Sequence, residues 1–219
     1  MESATLTKLR EEVANANWML PKAGLVTMHS GNASGYDPET DLLFIKPSGM
    51  DYEAITPENL CAVRVSTGEV ITQGSRPSVD LPHHLFLYRN MPEVRGVIHT
   101  HSNYATAFAA VNKSIPLVLT AIADEFGAEI PCMPYTDNEG ENIGQTILKH
   151  KNRAPAMLLG NHGVFAWGNS PKSALKAAVM TEDVAKTVWL AMQIGTPQAI
   201  PAEEAEKWYD RYHNRYGQG

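Results

Sequence analysis

The sequence is poor in cysteine, in long apolar runs and in positive charge. Two cysteines in 219 residues, Cys61 and Cys132, are too few and too far apart for a disulfide framework or a thiolate metal site. They fit two free, buried thiols in a reducing compartment. No stretch approaches the roughly 18 apolar residues that a membrane-crossing helix needs. The opening residues Met1-Glu2-Ser3-Ala4-Thr5 lack the basic-then-apolar pattern of a secretory leader, so a cytoplasmic location is expected. The formal net charge of −6 argues against general nucleic-acid affinity and requires a local basic pocket for any anionic substrate. Internal repeats and low-complexity tracts are missing, as are the Walker and dinucleotide-binding glycine patterns.

What is present is ordinary in bulk: 43% hydrophobic and 19% charged residues, enough for one domain with a sizeable core or two small ones. Leu6, Leu9, Val13, Ala16 and Leu20 fall at helical spacing and predict an amphipathic helix over 5–20, ending near Pro21-Lys22-Ala23-Gly24. Leu42–Ile45 reads as a strand. Cys61–Val65, Ser66-Thr67-Gly68 and Glu69–Ile71 read as a β-hairpin. Helices are expected at 81–90, 103–111 and 140–150, with strands at 95–99, 117–120 and 128–132. The longest helix is capped by Ser170, started by Pro171 and stopped by Gly195. Ala202–Arg215 is charged and aromatic, too polar for a central helix; it is either a solvated tail or packs on something outside this chain. The irregular alternation of elements predicts a mostly antiparallel or mixed sheet flanked by helices.

The chemistry-bearing residues are few. Val97-Ile98 reads as the end of a buried strand, and residues two apart on a strand point to one side, so His99 and His101 present two imidazoles to one point. A second apolar run, Ala156–Leu159, delivers His162 in the same way. Taken singly, each histidine also reads as a satisfied core residue. Together with Asp80, the three suit a divalent transition metal, Zn²⁺ first and Mn²⁺ or Co²⁺ on the same ligands. Two glycine-containing segments, Ser30–Gly35 and Lys46-Pro47-Ser48-Gly49, read as turns whose backbone N–H groups could gather on an anion, and Arg76-Pro77-Ser78 adds donors before Asp80.

Four motifs, Gly31-Asn32-Ala33-Ser34, Lys46-Pro47-Ser48-Gly49, His99-Thr100-His101 and Asn161-His162-Gly163, run in order from residue 31 to residue 163. In this order the chain resembles the class II aldolase and sugar-phosphate epimerase family, the adducin-head fold. Three segments and one aspartate are similar to its epimerase branch, which interconverts L-ribulose 5-phosphate and D-xylulose 5-phosphate. They are Ala123-Asp124-Glu125-Phe126 followed by Ile130-Pro131-Cys132, the stretch His162–Gly168, the ending Tyr216-Gly217-Gln218, and Asp80 where the fuculose-phosphate aldolase branch carries glutamate. There are departures: Val79 stands where a phosphate-holding serine is usual, His29-Ser30 where threonine-tryptophan is usual, and Trp208 where a histidine is usual. The 132–142 loop and the tail before Tyr216 are shorter than usual.

The resemblance implies a single three-layer α/β domain over 1–219, with a central, mostly antiparallel sheet flanked by helices. It implies retro-aldol cleavage between carbons 3 and 4 of a pentulose phosphate, rotation of the aldehyde fragment and re-addition, as part of carbohydrate catabolism. It casts Asp80, His99, His101 and His162 as metal ligands, and Asp124 and Tyr216 as proton-transfer groups on opposite faces of the substrate. Asn32, Ser48, Gly49 and Ser78, with Lys46 near them and Arg211 as a charge-assisted donor, would hold phosphate. His29 would line the pocket, and one of His83 and His84 would pack or cap. A C4 homotetramer is implied, with Asp124, Tyr216 and the tail 202–219 acting across a subunit boundary. The alternatives are a class II aldolase releasing dihydroxyacetone phosphate and an aldehyde from a ketose 1-phosphate, a sugar-phosphate dehydratase, and a metal-free structural module like the adducin head.

Overall fold

The computed structural model describes residues 3–215. The first helix, α1 (Ala4–Lys22), starts where Ser3 Oγ accepts the Leu6 N–H at 3.3 Å, and buries Leu6, Val13, Ala16 and Leu20 as their spacing requires. The chain continues through β1 (Asn32–Asp37), β2 (Leu42–Ile45), β3 (Cys61–Arg64), α2 (Leu81–Asn90), β4 (Gly96–Thr100), α3 (Asn103–Ala110) and α4 (Thr120–Phe126). Then come β5 (Cys132–Met133), α5 (Asn142–His150), β6 (Ala156–Leu159), β7 (Gly163–Gly168), α6 (Pro171–Ile194) and α7 (Ala202–Arg215).

The strands form one sheet in the order β3-β2-β1-β4-β7-β6-β5. Every pairing is antiparallel except β5 with β6. Alternation along the strands sorts the core into two layers. Ile98, Val164 and Ala166 face α1, α3, α4 and α6, while Val97, Phe165 and Trp167 face α2 and α5. The expected three-layer, mostly antiparallel architecture is therefore present, as one sheet with helices on both faces. Among the described residues no helix is long and apolar enough to cross a membrane. Both cysteines are free, Cys61 buried and Cys132 half-buried.

Four local expectations change. In place of a strand at 117–120 there is a single bridge, Ile115 with Ile130. Pro116, the next residue, has no N–H to extend a ladder, and the chain turns instead into α4, closed by Gly127 at φ +63°. The expected strand at 128–132 is reduced to that bridge and the two residues of β5. The hairpin after β3 returns through one bridge only, Val63 with Val70. Finally, α7 is neither a solvated tail nor packed solely outside the chain. Ala205 is buried, Arg153 pairs with Glu206, and Lys176 on α6 lies 4.5 Å over the Tyr212 ring. Its inner face therefore docks on the chain's own α4 and α6, and residues 216–219 lie outside the described residues.

Candidate metal centre

The register of the central strands builds the centre. Asn32 on β1 pairs with His99 on β4, and His99 pairs with Phe165 on β7, so the three stand in one row across the sheet. The Phe165 ring stacks on His99 with centroids 4.8 Å apart. His99 Nδ1 lies 2.9 Å from the Val164 carbonyl; a carbonyl only accepts, so the proton sits on Nδ1 and the lone pair on Nε2. His101, one residue beyond β4, brings its Nε2 to 2.9 Å from that atom. His162 arrives from the turn between β6 and β7, with centroids 4.9 and 5.1 Å from His99 and His101. Gly163 makes this approach possible, because a Cβ there would lie 2.5 Å from the Thr100 carbonyl and 2.8 Å from His101.

One nitrogen from each ring gathers within 4.8 Å. Burial drives His99 down to about 4 against the pull of Asp80, and burial likewise lowers His101 and His162. All three are therefore neutral at pH 7, the form that offers lone pairs. Neutral, convergent nitrogen donors with a carboxylate close by fit a borderline divalent ion such as Zn²⁺.

Asp80 lies in the same cleft, but its oxygens are not part of the cluster of three. It occupies the N-cap position of α2 without capping the helix. Its Oδ2 instead accepts from Asn32 Nδ2 at 2.6 Å and, more weakly, from Ser78 Oγ at 3.5 Å. Burial alone would raise its pKa; the His99 and His84 rings and the Asn32 bond outweigh that and hold it below the usual carboxylate value.

The cleft, about 220 Å³, is also lined by Asn32, Lys46, Ser48, Gly49 and Ser78, so the expected anion-binding residues surround the imidazoles. Lys46 is 2% exposed, and burial lowers its pKa. Among the described residues its Nζ donates to the Pro47 carbonyl at 3.4 Å and faces the Tyr52 ring with its centroid at 5.0 Å, and the charge of Asp51 partly opposes the effect of burial. A buried ammonium with no direct ion pair among the described residues is costly, and an anion in the cleft would relieve it. His29 lines the mouth, its Nδ1 3.5 Å from Asp51, while the Val79 side chain is largely exposed there.

Asp124 and Arg211 lie elsewhere. They line a separate cleft of about 290 Å³ between α4 and α7, with Thr120, Trp208 and Tyr212. No residue is shared with the lining of the histidine cleft. Tyr216 lies outside the described residues. His84 is fully buried and joins a chain in which Ser34 Oγ lies 2.7 Å from both His84 Nδ1 and the Tyr88 hydroxyl.

The sequence reading missed Tyr52, whose hydroxyl donates to the Ser30 and Gly31 carbonyls at 2.6 and 2.8 Å and so holds the first glycine segment at the cleft wall. It also missed Asn138, which lines the cleft from the 134–141 loop. No periodicity marks either one. Phe165 was readable only as core, because its stacking on His99 follows from a pairing register that sequence does not state.

The profile of the class II aldolase and adducin N-terminal domain matches residues 11–189. The chain is 38% identical to L-ribulose-5-phosphate 4-epimerase UlaF of Salmonella paratyphi C, over 97% of this chain and 100% of that one. An L-fuculose 1-phosphate aldolase structure superposes with a TM-score of 0.84 at 26% identity, covering 97% of this chain and 98% of the other. YgbL from Escherichia coli superposes with a TM-score of 0.78 at 27% identity, covering 94% and 99%.

Proposed function

The chain belongs to the class II aldolase and adducin family, and from that premise we propose that it is a metal-dependent epimerase interconverting L-ribulose 5-phosphate and D-xylulose 5-phosphate. The observation that carries the reading is the union, in one cleft, of three neutral imidazoles with a buried lysine. Such a pocket is made for a divalent cation and an anionic substrate at once. The full-length likeness to a 4-epimerase selects the reaction.

In this reading His99, His101 and His162 hold the ion, with Asp80 as the fourth ligand oriented by Asn32. Zn²⁺ is the native metal, and Mn²⁺ or Co²⁺ would occupy the same donors. When bound, the ion supplies Lewis acidity that steadies negative charge developing on the substrate oxygens. Lys46, Ser48, Gly49, Ser78 and Asn32 hold the phosphate, and the Lys46 ammonium fixes its position by charge-assisted hydrogen bonding. Asp124 and Tyr216 take and return the proton of the carbon-4 oxygen from opposite faces; inversion needs two such groups, whereas cleavage alone needs one.

The described residues of one chain put Asp124 in a different cleft from the imidazoles, so the proposal requires a second copy to bring an Asp124 and an Arg211 to each histidine cleft, as a C4 homotetramer would. An apolar groove lined by Phe108, Val111, Pro116, Trp189 and Met192 is a surface for such a copy to cover, and residues 202–219 would reach across the boundary. The cell compartment that fits this chemistry is the cytoplasm.

The test is incubation of the Zn²⁺-loaded protein with L-ribulose 5-phosphate, followed by NMR. D-Xylulose 5-phosphate without free glycolaldehyde phosphate is the expected product. The TM-score of 0.84 to a fuculose-phosphate aldolase favours one second reading, a class II aldolase. Release of dihydroxyacetone phosphate and an aldehyde from a ketose 1-phosphate would establish it instead.

A further inference from the structure

We infer that Asn161 and Asn112 are positioning residues that clamp His162 against the other two imidazoles. His99 is set by the β4 ladder and by the Val164 carbonyl, and His101 follows two residues later on the same strand direction. His162 has no such support. It stands in the turn between β6 and β7, where its own N–H donates to the Leu159 carbonyl at 2.9 Å and nothing in the ladder fixes its ring.

What surrounds that turn is over-determined. Asn161 adopts φ +59°, a left-handed conformation that a side chain normally avoids and that asparagine tolerates best. Its backbone N–H donates to the Ala109 carbonyl at 3.0 Å, and its Nδ2 donates to the Ala110 carbonyl at 3.3 Å. Both acceptors belong to the last turn of α3, where helix carbonyls lack intrahelical partners. Asn112, just beyond α3, is also left-handed at φ +53°, and its N–H shares the Ala109 carbonyl at 3.0 Å. Its Nδ2 then donates to Asn161 Oδ1 at 3.3 Å.

Two left-handed asparagines, one on each side of the contact, persist only where the surroundings hold them there, and such strain gathers at functional sites. The α3 end thus acts on the ligand turn through a residue 50 positions distant from His162 in sequence. The inference rests on reading the three imidazoles as a metal centre, because Asn112 and Asn161 act only through His162.

Glycine accepts positive φ without strain, so Asn161→Gly and Asn112→Gly remove the side-chain bonds and leave the backbone free to keep its path. Asn112→Asp keeps the shape but sets a carboxylate oxygen against Asn161 Oδ1. Metal-free wild type and the three variants are titrated with Co²⁺, followed by its visible absorption, and Co²⁺ release to a chelator is timed. The melting temperature of each metal-free protein is measured alongside. The expected result is Co²⁺ binding weakened by about 10-fold, in the range known for residues that orient ligands, with faster release. The metal-free melting temperature should stay within about 4 °C for the Asn112 variants, which lose one hydrogen bond, and within about 8 °C for Asn161→Gly, which loses two. Unchanged affinity and release in all three variants, whether or not they melt lower, would make both asparagines plain turn formers and overturn the clamp. A wild type that takes up no Co²⁺ would remove the centre and the clamp together, whereas wild-type binding with unaltered variants would remove the clamp alone.

Discussion

The histidine cleft and the α4–α7 cleft are built in different ways. The first is lined by buried polar groups: His99 at 2% exposure and Asn32 at 1% are fixed by strand register, and Lys46 at 2% follows directly on β2. The second is a groove between two helices tied separately to the rest of the chain, α4 to α6 by the Lys176–Glu125 pair at 2.6 Å and α7 to the loop before β6 by the Arg153–Glu206 pair. Arg211 there lies 5.3 Å from the Trp208 ring. One cleft gathers three imidazoles and a buried ammonium within a single chain, while the other is lined by a carboxylate and a guanidinium. Preorganisation at the first and presentation at the second are what a site shared between copies would require.

The comparison breaks first if the histidines are not a centre. His101→Ala should weaken Co²⁺ binding by at least about 100-fold and abolish epimerisation. Metal content after gel filtration checks this, and full stoichiometry in the variant would refute the assignment. Asp124→Asn should act in the opposite manner, cutting turnover by about 10²–10⁴ with Co²⁺ affinity unchanged. Mixing His101→Ala and Asp124→Asn subunits sharpens the point: hybrid assemblies should regain activity where an intact histidine cleft meets an intact Asp124. If mixtures stay inactive after subunit exchange is shown, the two clefts do not serve one site.

A smaller effect separates anion holding from chemistry. Lys46→Met should raise KM for the phosphorylated substrate by about 10- to 100-fold, the worth of a hydrogen bond to a charged group, with kcat nearly kept. Steady-state kinetics with inorganic phosphate as competitor would read it. The smallest effect is on stability. Burial pushes fully buried His84 down to about 3, below its unfolded value of about 6.5. Between those values the unfolded chain binds the extra proton, so metal-free stability present above pH 6.5 is lost as the pH falls. One such histidine gives a slope of up to about 1.4 kcal/mol per pH unit. Urea unfolding at pH 7 and 5.5 should show the loss, and His84→Gln should reduce it by one histidine's share, with His99, His101 and His162, also lowered by burial, contributing to the rest.

Much of this was legible beforehand. The β4 run and the His-x-His spacing brought two imidazoles to one point, and Ser170, Pro171 and Gly195 bounded α6 to within a residue. The helix α4 was not legible. Seven residues starting after Leu117-Val118-Leu119 carry too few turns for a period of 3.6 to stand out from a period of 2. Nor did polarity reveal where α7 goes, because it docks through buried Ala205, Tyr209 against Gly127 at the end of α4, Tyr212 under Lys176 of α6 and the Arg153–Glu206 pair.

The sequence by itself determined the donor types, their order and the strand ends that carry them, because side-chain alternation and turn chemistry are local. Tertiary structure alone decided three things. It turned Asp80 onto Asn32, it buried Lys46 beside the histidine cleft, and it sent Asp124 to a cleft apart from the imidazoles. Each depends on which distant segments come to lie side by side, and that is set by the packing of the whole sheet and its two helical layers.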